Sequence, residues 1–162
     1  MDHFYDHNTG DILMLINSDI ILNCTAEFIN KVMSISESCI PIAHRNDYTK
    51  NLTISKKYSF WFDVFFIHLK YIPVFPPAFY SMGQTWWDYW LPYKAIKNNV
   101  PVFLIEEPFA YHKEHPMQYN ASDWIKMTEY FKWENNIVGN DAQAINDNIR
   151  NEIINASLSF KL

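Results

Sequence analysis

"MLINSDIIL", residues 14–22, is an apolar run interrupted by three small polar residues, Asn17, Ser18 and Asp19. The five apolar residues Ile12 to Ile16 read as a strand buried on both faces. Ile20 to Leu22 restores the apolar character. A carboxylate between two such runs is costly to bury unless something satisfies it. Asp19 as the cap of a simple turn is an equal alternative on these residues alone.

Outward from this stretch, strand and helix patterns alternate. Asp11 to Ile16 is the first strand. Ala26 to Ile35 follows as a helix, with Phe28, Ile29, Val32 and Met33 at helical spacing and Thr25 as N-cap. Cys39 to Ala43 is a short strand, His44 to Lys57 a polar loop, and Ser59 to Ile67 an aromatic strand. Pro73, Pro76 and Pro77 oppose regular structure over residues 72–83. Thr85 opens a helix reaching about Lys97, which Pro92 should kink. Val100 to Ile105 is a strand and Pro108 to His112 an extended segment. Ser122 to Trp133 and Ala142 to Phe160 read as helices, the last carrying an Ile145, Ile149, Ile153 stripe. The fold class is α/β, a mixed sheet flanked by helices in one domain over residues 1–162.

Composition limits the function classes. The chain is 49% apolar and 19% charged, enough to bury a core. Its net charge of −5 opposes a nucleic-acid partner, which would select a basic stripe. No membrane span or signal pattern is legible, and Cys24 and Cys39 lack zinc spacing. The expected location is cytoplasmic, with both thiols free. The Asn-x-Ser/Thr sequons at Asn23, Asn51, Asn120 and Asn155 are attributed to an Asn-rich composition. Aromatics reach 17%, with 10 Tyr and 6 Trp. Flat faces with polar tips suit a core, a partner surface or a sugar site equally well.

Four polar groups break the apolar background at element ends: Asn17-Ser18-Asp19, Asp63 in "FWFDVFF", Asp88 in "TWWDYWL", and His112 with His115 in "YHKEH". Each has a plain structural reading. Asp63 could face solvent on an edge strand. Asp88, three residues after Thr85, matches a capping box with Asp for Glu. The two histidines could lie on the surface. Taken together they offer oxygen and imidazole ligands for Mg²⁺ or Mn²⁺, and a carboxylate walled by Trp86, Trp87 and Trp90 that could serve as a general base. Paired Asp19 and Asp88 would also be compatible with a hydrolase, which nothing else in the chain supports.

In order, "NSDIIL", "AHRND", "FDVFF", "IPVFPPAFYSMGQTWWDYWL" and "PVFLIEEPFAYHKEH" resemble the later half of a GT-A-type glycosyltransferase, a family that uses nucleotide-diphosphate sugars. The resemblance covers roughly residues 11–120. It implies a partial GT-A fold lacking most of the usual N-terminal nucleoside-binding half, since 16 residues precede Asn17. It also implies a metal-dependent transferase moving a sugar from a nucleotide-diphosphate donor to a glycan or other hydroxyl acceptor. Asp19 and His112 would hold Mn²⁺ or Mg²⁺, with His112 a neutral imidazole. Asn17, Arg45, Asp63 and Gly83 would line the donor site, and Asp88 would be the catalytic base. A non-catalytic glycan- or protein-binding remnant is the alternative. A sheet shortened in this way should expose an apolar edge near Ile12–Ile16 and favour a homo-oligomer.

Overall fold

The computed structural model describes residues 11–48, 54–57, 60–113 and 120–158. His115 lies outside them. Two four-stranded sheets carry the chain. The first contains β1 (Ile12–Ile16), β3 (Ile40–Ala43), β6 (Val64–His68) and β7 (Val102–Ile105), in the order β1-β6-β3-β7. The second contains β2 (Ile20–Leu22), β4 (Asn46–Tyr48), β5 (Ile54–Lys57) and β8 (Ala110–Lys113), in the order β2-β8-β4-β5. Parallel pairs β3–β7 and β4–β8 sit among antiparallel ones, so both sheets are mixed.

The chain passes from the first sheet to the second twice. Asn17-Ser18-Asp19 joins β1 to β2, and His44-Arg45 joins β3 to β4. Register fixes what meets at this seam. Ile16 and Ala43 both pair with Val64, the first residue of β6, while Ile20 and Asp47 both pair with His112 in β8. Asp63 directly precedes Val64. Asn17 to Asp19, Asp63 and His112 are therefore gathered at one seam by strand pairing alone.

Alternation along β6 explains the continuous apolar run there. Phe65 and Ile67 point to one face, Val64 and Phe66 to the other, and all four are buried. The first face packs with α2 (Trp87–Lys97) and α4 (Ala142–Ala156) through Trp90, Leu91, Ile145, Ile149 and Ile153. The second packs with α1 (Ala26–Ser36) through Val32, alongside Phe103 and Phe109. Helix α3 (Ala121–Asn135) adds Phe131 to the first face. Thr25 caps α1 by accepting the Phe28 N–H at 3.1 Å, as its sequence position predicts. No helix among the described residues is long and apolar enough to cross a membrane, and Cys24 and Cys39 are unpaired thiols.

Several expectations need correction. Strand β1 is not buried on both faces, because Met14 is 41% exposed and its neighbours are half-buried. The 44–57 stretch was expected to be a loop, but its described residues include β4 and β5, whose polar composition hid them. Asn46 is buried because its amide donates to the Ala110 carbonyl at 3.3 Å, and Asp47 is buried by charged partners. A 3₁₀ helix, Leu69–Val74, runs through Pro73 where no regular structure was expected. Helix α2 starts two residues after Thr85 and continues through Pro92. Helix α4 ends at Ala156, after which Leu158 bridges to Phe103 of β7.

Candidate functional site

Asp63 lies at the centre of the seam. It is 2% exposed, so it does not face solvent. Asn17 Nδ2 donates to its Oδ1 at 2.8 Å, and Arg45 Nη1 approaches the same oxygen at 3.6 Å. Its Oδ2 is buried without a hydrogen-bond partner among the described residues. Burial pushes this carboxyl above the usual carboxylate range, against the opposing pull of Arg45 and Asn17. Arg45 Nε also donates to Asp47 Oδ1 at 3.1 Å, and its guanidinium lies 5.7 Å from the Trp61 ring centre.

Asp47 connects Arg45 to His112. His112 Nδ1 lies 2.9 Å from Asp47 Oδ1, and Nε2 lies 3.2 Å from Asp19 Oδ2. A neutral imidazole carries one proton. One tautomer donates Nδ1–H to Asp47 and leaves the Nε2 lone pair beside Asp19 Oδ2, open to a cation; the other donates Nε2–H to Asp19. A carboxylate that fixes the far nitrogen is the arrangement that aims an imidazole at a metal. Asp19 retains access from outside, its side chain being 48% exposed. One nitrogen and one carboxylate oxygen suit a borderline cation such as Mn²⁺. Among the described residues, no group of three or more His, Cys, Asp or Glu is arranged to hold a metal ion.

Asp88 occupies the second residue of α2, and its approach is unusual. Trp86, at the N-cap position, has φ 76°, a left-handed conformation costing about 1–3 kcal/mol for a residue of this size. Packing holds it there. The indole is 4.6 Å from the Phe131 ring centre, and its Nε1 donates to Thr128 Oγ1 at 2.9 Å. The capping-box reading of Asp88 fails on this geometry. Trp86 makes no side-chain cap, and Thr85 Oγ1 has no hydrogen-bond partner among the described residues. Burial first, and the Asp63 charge second, push the Asp88 carboxyl up to about 8.

A cavity of about 160 Å³ opens between these groups. Asn17, Arg45, Asp63, Gly83 and Asp88, all singled out from the sequence, line it. Asp19 and His112 are not in its wall; they join it through Asp47 and Arg45.

No family model, curated protein or solved structure matches this chain.

The site therefore rests on its own geometry. Sequence reading missed Asp47, which orients both Arg45 and His112, and the cavity-lining Trp61, Trp124 and Asn146. Asp47 carried no periodic signal, since it lies in a polar stretch read as a loop and its partner Arg45 precedes β4. Asn146 carried none, since its neighbours read as the polar side of an ordinary helix.

Proposed function

We propose that the chain is a metal-dependent glycosyltransferase of GT-A type, taking a sugar from a nucleotide-diphosphate donor to an acceptor hydroxyl. The observation that carries this reading is one cavity walled by Asn17, Arg45, Asp63, Gly83 and Asp88 beside the Asp19–His112 pair. Buried acceptors such as Asp63 Oδ2 suit hydroxyl donors, and Trp61, Trp86 and Trp87 supply apolar faces for a sugar ring.

The residues divide the work. Asp19 and His112 would hold Mn²⁺ or Mg²⁺, which when bound neutralises charge on the diphosphate. Arg45, Asn17 and Asp63 hold the sugar. Asp88 removes the proton from the acceptor hydroxyl as that oxygen bonds to the anomeric carbon. The bond from that carbon to the diphosphate oxygen breaks, and the diphosphate leaves with the electron pair. A base titrating near 8 lies close to the pH of its task, where proton transfer is most effective.

Binding without transfer is the second reading, favoured by the proton Asp88 holds at neutral pH. Thermal melting with UDP- or GDP-sugars, with and without Mn²⁺, tests the donor site. At a hundred times the dissociation constant a ligand adds roughly 2.7 kcal/mol of stability. A rise needing both sugar nucleotide and metal is expected; no rise with any donor would overturn the transferase reading.

A further inference from the structure

A second cavity, of about 470 Å³, lies against the first. The two share Gly83, Gln84 and Thr85. The rest of the second wall comes from the start of α3: Asn120, Asp123, Lys126 and Met127. Its volume falls within the range of about 300–1,000 Å³ usual for small-molecule sites. Thr85 Oγ1, in the shared wall, is buried and makes no hydrogen bond among the described residues.

Helix geometry extends this cavity into a surface. Asp123, Lys126, Met127, Tyr130 and Trp133 follow one another at spacings of three, one, three and three residues, so they form a single stripe along α3. Trp124, Thr128 and Phe131 occupy the inward face. Tyr130 is three residues beyond Met127, about 4.5 Å along the axis at 1.5 Å per residue. There the stripe becomes aromatic. Tyr130 meets Phe79 at 5.4 Å and Trp133 at 5.8 Å between ring centres. Phe79 is 79% and Trp133 75% exposed, an arrangement that leaves two large rings in water.

We propose that the second cavity and this aromatic ledge together bind the acceptor as a neutral oligosaccharide. Its terminal sugar enters the cavity, and the preceding sugars lie along α3 against Tyr130, Trp133 and Phe79. This rests on the transferase reading, because the shared wall of residues 83–85 leads directly to Asp88. The charge of the rim fits an uncharged ligand: Asp123 and Lys126 pair at 3.5 Å and cancel. Polar groups in a cavity with flat rings beyond it match the hydroxyl-rich edges and apolar faces of sugars. A protein partner would find a ledge interrupted by a polar hollow.

The test is a binding titration, followed by ligand-observed NMR, with neutral oligosaccharides of glucose, galactose and N-acetylglucosamine and with their monosaccharides. The unaltered protein should bind at least one oligosaccharide more tightly than its monosaccharide. Trp133→Ala, at an exposed position that tolerates truncation, should weaken that binding roughly tenfold. Asp123→Ala should weaken the oligosaccharide and the monosaccharide alike. Failure of every oligosaccharide to bind, or equal binding by the Trp133→Ala protein, overturns the proposal. Concentration-dependent self-association that Trp133→Ala abolishes would assign the ledge to a protein contact and overturn it too. The donor-induced melting shift is read in parallel on the unaltered protein. Its absence would remove the donor reading, whereas its presence with no oligosaccharide binding would remove only this one.

Discussion

Asp88 is a carboxyl group that its surroundings keep protonated. The folded chain holds that proton up to about pH 8, whereas an unfolded Asp releases it near its ordinary value of about 3.9. The sign of the linkage follows. The folded state binds more protons between these values, so the contribution of Asp88 to stability is complete below the lower one and is lost as pH rises through about 8. Asp88→Asn removes this loss. Between about pH 6 and about 9 its melting temperature should therefore fall less than that of the unaltered protein, as pH-dependent calorimetry would show. Transfer by the unaltered protein should climb with pH and level off above about 8. The Asn variant should lose transfer by about 10²–10⁴-fold while still giving the donor-induced melting shift. Equal transfer by both proteins would exclude Asp88 as the base. Asp47 acts at one remove, through Arg45 and His112. Asp47→Asn should weaken Mn²⁺ binding about 10–100-fold, measurable by calorimetric titration, with Asp19 and His112 still in place.

At the scale of elements, α4 closes the cavity side of the first sheet with a stripe that the sequence displayed openly. Ile145, Ile149 and Ile153 recur every four residues and are all buried. Ile149→Ala should cost about 2–5 kcal/mol, read by denaturant unfolding. A loss below 1 kcal/mol would mean that the helix is only loosely applied. Elements were legible wherever apolar period decided them: β1, β3 and β7, with α1 and α4; β6 was legible only in part, since it begins at Val64 and leaves Phe60 to Asp63 outside the strand. Strands β4 and β5 were not, because Asn46 and Asp47 are buried by hydrogen bonds and charge, and no count of apolar residues registers that. The start of α2 was misplaced for a related reason. Thr85 and Asp88 have the spacing of a cap, but the packing of Trp86 on Phe131 overrides the local preference. Of the site, Asn17, Arg45, Asp63, Gly83 and Asp88 were readable from their place in an order of motifs, and they do share one wall. Asp47 and Asn146 depend on strand register and helix docking, which pairwise spacing does not encode.

Across the whole molecule, the two sheets are tied at one seam, and few of the ties are local. Asn17 and Asp63 are 46 positions apart, His112 and Asp47 are 65, and His112 and Asp19 are 93. Each closes a long loop of chain before any contact rewards it. Contacts of such separation slow folding, because the entropy of closure is spent before the pairing is gained. Helix α1 with its Thr25 cap, and the short β4–β5 pairing, can form from neighbouring residues. The β2–β8 pairing that sets His112 against Asp19 cannot. The geometry of this seam is therefore expected to be among the last to form as the chain folds. A chain that is already helical and partly collapsed still lacks it, and leaves the aromatic walls of the unfinished cavity open to other molecules in the same state.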